Sequence, residues 1–228
     1  MTAGHEQDLF ATLARQLAAE EDVSAVWQRV VDASVAEIAG AQHAGIMLVS
    51  RRSVQTPVAS DDLVVTIDKH QYETREGPCL SAAIEHAPVV RVNDLRTETR
   101  WPQFAARAAE AGVLSILSFQ LYTEQDTLGA LNIYAGTADA FTDDSVHTGT
   151  LLAAHAAVAA AATLKTTNLL IALTSRDVIG QAKGILMERY RITPEQAFDL
   201  LITASQRTHR KLHEIARDLT ETGELRTQ

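Results

Sequence analysis

The sequence predicts an α+β domain, with one antiparallel sheet flanked by helices, then a long helix carrying a coiled-coil row, then an all-α module of three short helices. Three observations carry that expectation. Apolar runs of strand length fill the middle of the first 141 residues, with helical periods at both ends. From Thr142 the chain is alanine-rich and has no proline before Pro194. Beyond Pro194, two more apolar stripes recur at helical spacing. The boundaries that follow are 1–141 for the α+β domain, 142–175 for the linking helix and 176–228 for the helical module. A chain of 228 residues suffices for two modest domains, each with its own core.

In order, His5 to Ala19 reads as a helix, and after the acidic break Glu20-Glu21-Asp22 a second runs from Val23 to Ala39. Val26, Val30, Val31, Val35 and Ile38 give it a helical period, and Gly40 ends it. Ala44 to Val49 and Leu63 to Ile67 are expected to be strands, separated by a polar loop around Pro57. Glu76-Gly77-Pro78-Cys79 reads as a turn feeding a helix near Leu80 to Glu85, and Val89 to Val92 as a strand after Pro88. Asp94 to Pro102 is expected to be a loop and Gln103 to Ala111 a helix. Val113 to Tyr122 and Thr127 to Tyr134 are the strongest strands, joined by a hairpin-like connection at Thr123 to Asp126.

Thr142 with Asp143 and Asp144 is a start signal for the long helix, because a hydroxyl caps the first amides and acids suit the positive helix end. Leu151, Val158, Ala172, Ile179 and Leu186 fall in one seven-residue row, interrupted only by Lys165. Two readings stay open: a coiled-coil seam that makes a homodimer, or an alanine-rich helix packed on its own sheet. In the C-terminal module, Val178, Ile179, Ala182, Ile185 and Leu186 share one helix side. Thr193-Pro194-Glu195-Gln196 is a start signal with a cap, a proline at the first position and a capping-box glutamine. Ala197, Phe198, Leu201 and Ala204 then point inward, as do Leu212, Ile215, Ala216 and Leu219 in the last helix, which Gly223 ends. Gly180 and Gly184, four apart, clear one helix face for a close approach by a helix or a nucleic-acid strand.

Composition sets limits on function. No signal peptide is read at MTAGHEQDLF and no apolar run is read as long enough to span a bilayer, so the expectation is a cytoplasmic protein with no membrane partner. Cys79 is the only cysteine, which excludes an intrachain disulfide and a cysteine zinc cluster. The formal charge of −9 disfavours nucleic acid at first sight. It is unevenly placed: residues 176–228 hold nine Lys/Arg against eight Asp/Glu, while residues 1–175 hold eleven against twenty-one. The acidity belongs to the front.

Eight histidines form no metal motif with a carboxylate; His209 and His213, four apart, lie beside Arg210 and Lys211 and read as surface residues. There is no Gly-rich phosphate loop, no GxSxG elbow and no receiver-type acidic cluster, so an enzyme is not expected. Cys79, next to a helix start, is either a reactive sensor thiol or an inert core residue, and Trp101 either lines a ligand pocket or fills the core. Arg176 and Lys183 share a helix face, as do Arg210 and Arg217, with Lys211 beside them.

The run Arg176-Asp177-Val178-Ile179-Gly180-Gln181-Ala182-Lys183-Gly184-Ile185-Leu186-Met187, with Ala197-Phe198, Ala204-Ser205-Gln206 and Arg210-Lys211-Leu212, resembles the ANTAR domain of RNA-binding transcription antitermination regulators. The resemblance implies a module that binds paired RNA hairpins in a nascent transcript. On the helical reading Arg176, Lys183, Arg210 and Lys211 supply charge, while Ser205, Gln206 and His209 lie at the corner where a looped-out base is met. The family often has Asn where His209 stands, which puts affinity and pH dependence at that position in question. Upstream, Glu76-Gly77-Pro78-Cys79, Asp94-Leu95, Arg100-Trp101-Pro102, Leu128-Gly129-Ala130-Leu131-Asn132 and Ala140-Phe141 resemble a GAF sensor domain of the kind found in actinobacterial GAF–ANTAR regulators. That implies a GAF-like pocket for a small ligand or cofactor and names none. The alternative function is a ligand-binding signalling protein whose helical tail binds another protein.

Overall fold

The structure, a computed structural model, describes residues 3–49, 54–84, 87–122 and 127–225. It divides into two packed units, Met1–Leu164 and Lys165–Gln228.

The first unit contains α1 (Ala3–Ala18), α2 (Val23–Glu37), β1 (His43–Val49), β2 (Val54–Ala59), α3 (Asp62–Thr74), α4 (Pro78–Ile84), β3 (Val89–Val92), α5 (Pro102–Glu110), β4 (Ser115–Tyr122), β5 (Thr127–Ala135) and the start of α6 (Asp143–Tyr190). The five strands form one antiparallel sheet in the order β2-β1-β5-β4-β3. Alternation of side chains gives the sheet two faces. Ile46, Leu117, Phe119, Leu121, Leu131 and Ile133 point to the layer made by α1, α2 and the beginning of α6. Met47, Val90, Val92, Ile116, Ala130 and Tyr134 point the other way, under α3, α4 and α5.

Two expectations are corrected. Leu63 to Ile67 is part of helix α3, not a strand: Asp61 caps it by accepting from the Leu63 N–H at 3.0 Å, and Val64, Ile67, Asp68 and Gln71 are buried at helical spacing. A five-residue run of four apolar side chains and Thr66 does not by itself separate a strand from a buried helical face; the period shows only when the polar Asp68 and Gln71 count as inward. The expected loop around Pro57 is strand β2. It lies at the sheet edge, where a missing N–H costs no ladder bond. The expected hairpin connection at Thr123 to Asp126 and the helix end at Glu85 lie outside the described residues.

Thr142 and Ser145 exchange hydrogen bonds at the start of α6, and the Ser145 hydroxyl also donates to the Ala39 carbonyl at 2.9 Å. Arg91 on β3 donates to Asp143 at 3.0 Å and to the Phe141 carbonyl, fixing the helix start to the sheet edge. Leu152, Ala153, Ala156, Ala157 and Ala160 are buried in the first unit. The opening of the alanine-rich stretch therefore packs on its own sheet. Farther along, Leu169, Leu170, Ile171 and Leu173 are exposed. Of the seven-residue row, Val158 is 69% exposed and Ala172 exposed, while Leu186 is buried in the second unit. An 18-residue window of α6 has a mean hydropathy of 1.5, long and apolar enough to cross a membrane by length and composition. That corrects the expectation that no such run exists; many alanines, each mildly apolar, add up to it.

In the second unit the end of α6 packs with α7 (Pro194–Thr208) and α8 (Leu212–Thr222). Ala182, Leu186, Ala197, Leu201, Ala204, Ile215, Ala216 and Leu219 form its buried core. The Thr193 capping box is complete in both directions, with Thr193 N–H donating to Gln196 Oε1 at 3.0 Å. Gly223 ends α8 in the left-handed conformation (φ 73°), its N–H on the Leu219 carbonyl at 2.9 Å.

Candidate functional site

On the sheet face under α3 and α4 the sequence buries polar side chains. Asp68 and Gln71 come from α3, Ser118 from β4, Asn132 and Tyr134 from β5, and all are solvent-excluded. Asp68 accepts hydrogen bonds from Thr56 Oγ1 at 2.6 Å, from Gln71 Nε2 at 3.3 Å and from the Tyr134 hydroxyl. Thr56 also bonds Tyr72 at 2.7 Å, and these two half-buried residues bring the cluster to the surface. Burial without a cation raises the Asp68 carboxyl to about 6, although the hydrogen bonds from Thr56, Tyr134 and Gln71 pull it down. Burial likewise pushes Tyr134 and Tyr72 up, with the Asp68 charge adding to it. Asn132 faces Asp68 and Cys79 and works to lower the pKa of both groups, yet neither end of its amide meets a partner at full hydrogen-bonding geometry, nor does Ser118 Oγ.

The motif residues frame this cluster. Gly77 (φ 133°) abuts the Gln71 amide, where an added Cβ would stand 2.2 Å from Oε1; that same oxygen accepts the Cys79 N–H at 3.1 Å. Glu76 accepts from the first amides of α5, Gln103 at 2.9 Å and Phe104 at 3.2 Å. This joins the Glu76-Gly77-Pro78-Cys79 turn to the Arg100-Trp101-Pro102 segment. Gly129 (φ 158°) passes so close to β1 that a Cβ would stand 1.8 Å from the Met47 carbonyl. Cys79 itself is fully buried with its Sγ 3.1 Å from Met47 Sδ, and burial raises its thiol well above the ordinary value. The structure places it in the core and out of reach of solvent oxidants. Trp101 is half-buried between two apolar clusters, with the Arg100 guanidinium 4.3 Å above its ring. The polar cluster was not among the expected site residues; Asp68 and Gln71 at inward helical positions were the signal that could have found it.

In the second unit, Ser205, His209, Arg210 and Lys211 come together at the α7–α8 corner. The Ser205 hydroxyl donates to the Arg210 carbonyl at 2.5 Å, His209 closes α7 in the left-handed conformation (φ 53°), and Lys211 opens α8. Ser205 thus builds the corner from within. Gln206, His209 and Lys211 are exposed. Arg210 is also exposed, but ion-paired with Asp218 at 2.6 Å and with Glu214 at 3.7 Å. Arg176 is exposed on α6, and Lys183 leans over the Phe198 ring of α7 at 5.6 Å. Gly180 and Gly184 meet nothing within 4 Å of an added Cβ, so no helix of the unit uses the face they clear. Gly184 opens a groove there, shared with Gln181, Arg189 and Thr220. No His/Cys/Asp/Glu group among the described residues could hold a metal.

A sheet with one apolar face under its terminal helices and one polar-centred face under short helices, followed by a three-helix unit, is a two-part α+β and all-α architecture. Residues 20–161 match the GAF domain family, and the chain belongs to it; residues 167–219 match the ANTAR domain, which makes the architecture GAF–ANTAR. ANTAR domains are RNA-binding antitermination modules and GAF domains are sensors, so the chain is a signal-responsive regulator. No curated protein matches the sequence. Among solved structures, the chain resembles the chromophore-binding domain of the bacteriophytochrome RpBphP3 from R. palustris at 9% identity and TM-score 0.56, over 72% of this chain and 64% of that one. It resembles the GAF domain from Acinetobacter phosphoenolpyruvate-protein phosphotransferase at 12% identity and TM-score 0.56 (72% and 97%). Free methionine-R-sulfoxide reductase from Neisseria meningitidis gives 17% identity and TM-score 0.53 (73% and 94%). At these identities the likeness is one of fold. The chain spans under two thirds of the bacteriophytochrome domain's length.

Proposed function

We propose that the protein is a cytoplasmic transcription antitermination regulator whose C-terminal module binds paired hairpins in nascent RNA, under control of a small molecule held by the GAF domain. The observation that carries this reading is the ANTAR match over 167–219, on a unit whose core is complete and whose candidate RNA residues stand outside that core. Arg176, Lys183, Arg210 and Lys211 serve the phosphates; Gln206 and His209 meet a looped-out base, and Ser205 holds the corner that presents them. The active form is a homodimer through the part of α6 where Leu169, Leu170, Ile171 and Leu173 are exposed. Leu169, Leu170 and Leu173 share one side of the helix while Ile171 turns away from it; that apolar side favours a matching partner, and a second copy supplies one of the same chemistry.

The test is a gel shift of the full chain against a hairpin pair and an unstructured RNA of equal length, in a salt series. The hairpin pair is expected to bind more tightly, with affinity falling as salt rises. Lys183→Ala is expected to cost on the order of 1 kcal/mol and to lower the salt slope, while Gln206→Ala relaxes discrimination between loops. Equal binding of both RNAs would sink the antiterminator reading in favour of a protein partner for the helical tail. Nothing in the buried Cys79 supports a reductase like the structural relative, since thiol chemistry needs an accessible thiolate.

A further inference from the structure

The buried cluster contains acceptors that no described residue uses. A carboxylate has about four acceptor positions, and Asp68 receives three full hydrogen bonds, from Thr56, Gln71 and Tyr134, while the Asn132 amide is turned toward it without completing a fourth. Asn132 and Ser118 are ladder partners on β5 and β4, both with no solvent exposure, and Asn132 Oδ1 and Ser118 Oγ accept no hydrogen bond from any described residue. Buried polar atoms are almost always satisfied, so the adjacent unpartnered Asn132 amide and Ser118 hydroxyl beside an unbalanced carboxylate mark a place where something else binds. Its charge is set by what faces it. Tyr72 from α3, Tyr134 from β5 and the Cys79 thiol from α4 are all held neutral, and no Lys, Arg or His among the described residues contributes to the ionisation of Asp68. Among the described residues, a phosphate or carboxylate ligand would lie against Asp68 with no cation to meet it.

We infer that this nest is the sensor's ligand site and that it takes a primary ammonium group. Such a group carries three N–H donors, which the free position on Asp68, Asn132 Oδ1 and Ser118 Oγ accept, and its charge balances the only formal charge in the cluster. The ligand enters past Tyr72 and Thr56. The inference rests on the reading of the first unit as a sensor and names the chemistry of what it senses.

The experiment is isothermal titration of the full chain with methylammonium chloride, against sodium chloride, tetramethylammonium, acetamide and inorganic phosphate at equal ionic strength. Saturable binding is expected for methylammonium alone, about tenfold or more weaker in Asp68→Asn and in Asn132→Leu. Asp32→Asn, an exposed carboxylate on α2, is expected to leave it unchanged. Lowering the pH from about 7.5 to about 5 protonates Asp68 and weakens binding. Binding of acetamide or phosphate without methylammonium overturns the ammonium assignment. So does silence from every probe, most directly if Asn132→Leu is as stable as the parent, because the orphans are then structural and hydrated. Hairpin affinity is measured on the same preparations: loss of the amine result with hairpin preference intact removes this inference alone, whereas absence of hairpin preference removes the regulator reading whatever the amine does.

Discussion

The two units use polarity in opposite ways. In the first, ten polar or charged side chains are buried, among them Asp68, Gln71, Ser118 and Asn132; in the second, no described polar side chain is buried and the core is alanine, leucine and isoleucine. A buried polar group costs free energy unless it is paired, so the first unit carries a cost in its interior that the second avoids. The difference points to where each does its work. On the proposed function, the unit that receives a small molecule keeps its chemistry inside, and the module that meets RNA keeps it outside.

The sharpest way to break this comparison is to damage the small core. Leu201 is fully buried among seven other small or aliphatic side chains. Leu201→Ala is expected to cost about 2–5 kcal/mol, enough to unfold a unit of this size, abolishing hairpin binding while the first unit keeps its thermal transition. Calorimetry reads both transitions, and loss of both together would show that the units do not fold separately.

A second variant sharpens the interior half. Burial raises Asp68 from 3.8 to about 6, so between those values the folded state holds a proton that the unfolded chain releases. Stability from this group is complete below pH ~4, is lost as pH rises through about 6, and is flat above. The stability of the parent minus that of Asp68→Asn is therefore expected to fall by roughly 2–3 kcal/mol from pH 4 to 7, at about 1.4 kcal/mol per pKa unit. Groups such as Glu98, held low by its hydrogen bond from Arg100, contribute with the opposite sign but equally in both proteins. Denaturant unfolding across pH measures the difference; a constant difference would mean that the folded state does not raise the Asp68 pKa above its unfolded value.

These residues also show what the sequence could and could not reveal. The second unit was legible nearly residue by residue, because its inward positions are apolar and its ends carry caps: Thr193 with Gln196, and Gly223. In the first unit the strongest strands, β4 and β5, were legible from the density of their apolar residues, despite Ser118 and Asn132 on the inner face. Helix α3 was not, since its inward face is half polar and a reading that follows hydrophobicity stops at Ile67. The buried polar cluster was missed with it. Arg210 was legible as a cation but not as a paired one, because Asp218 reaches it from a turn and more further along α8.

That pairing gives a smaller test of the outward half. An exposed ion pair contributes about 0–1 kcal/mol, so RNA can compete for Arg210, but only after displacing Asp218. Asp218→Asn is expected to raise hairpin affinity a few-fold and to steepen its salt dependence, by freeing one phosphate ligand. Unchanged affinity in a gel shift would leave Arg210 to the structure of the corner.

The smallest effect is expected at Cys79. A sensor thiol has to ionise and meet an oxidant; this one lies beneath α4 against Met47, with no exposed surface and a thiol pushed up by burial. Alkylation at neutral pH is therefore expected to be slower in the folded protein than in a denatured control, the reverse of an activated cysteine. Cys79→Ser keeps the size and changes the polarity, so a modest loss of stability is expected, because the hydroxyl must find a partner in that layer. The unpartnered Asn132 amide faces the same space and offers one. Hairpin affinity is expected to be equal for parent and variant under oxidising and reducing conditions. Redox-dependent affinity that vanishes in Cys79→Ser would move the signal from a bound molecule to the thiol, and would require α4 to open far enough to admit the oxidant.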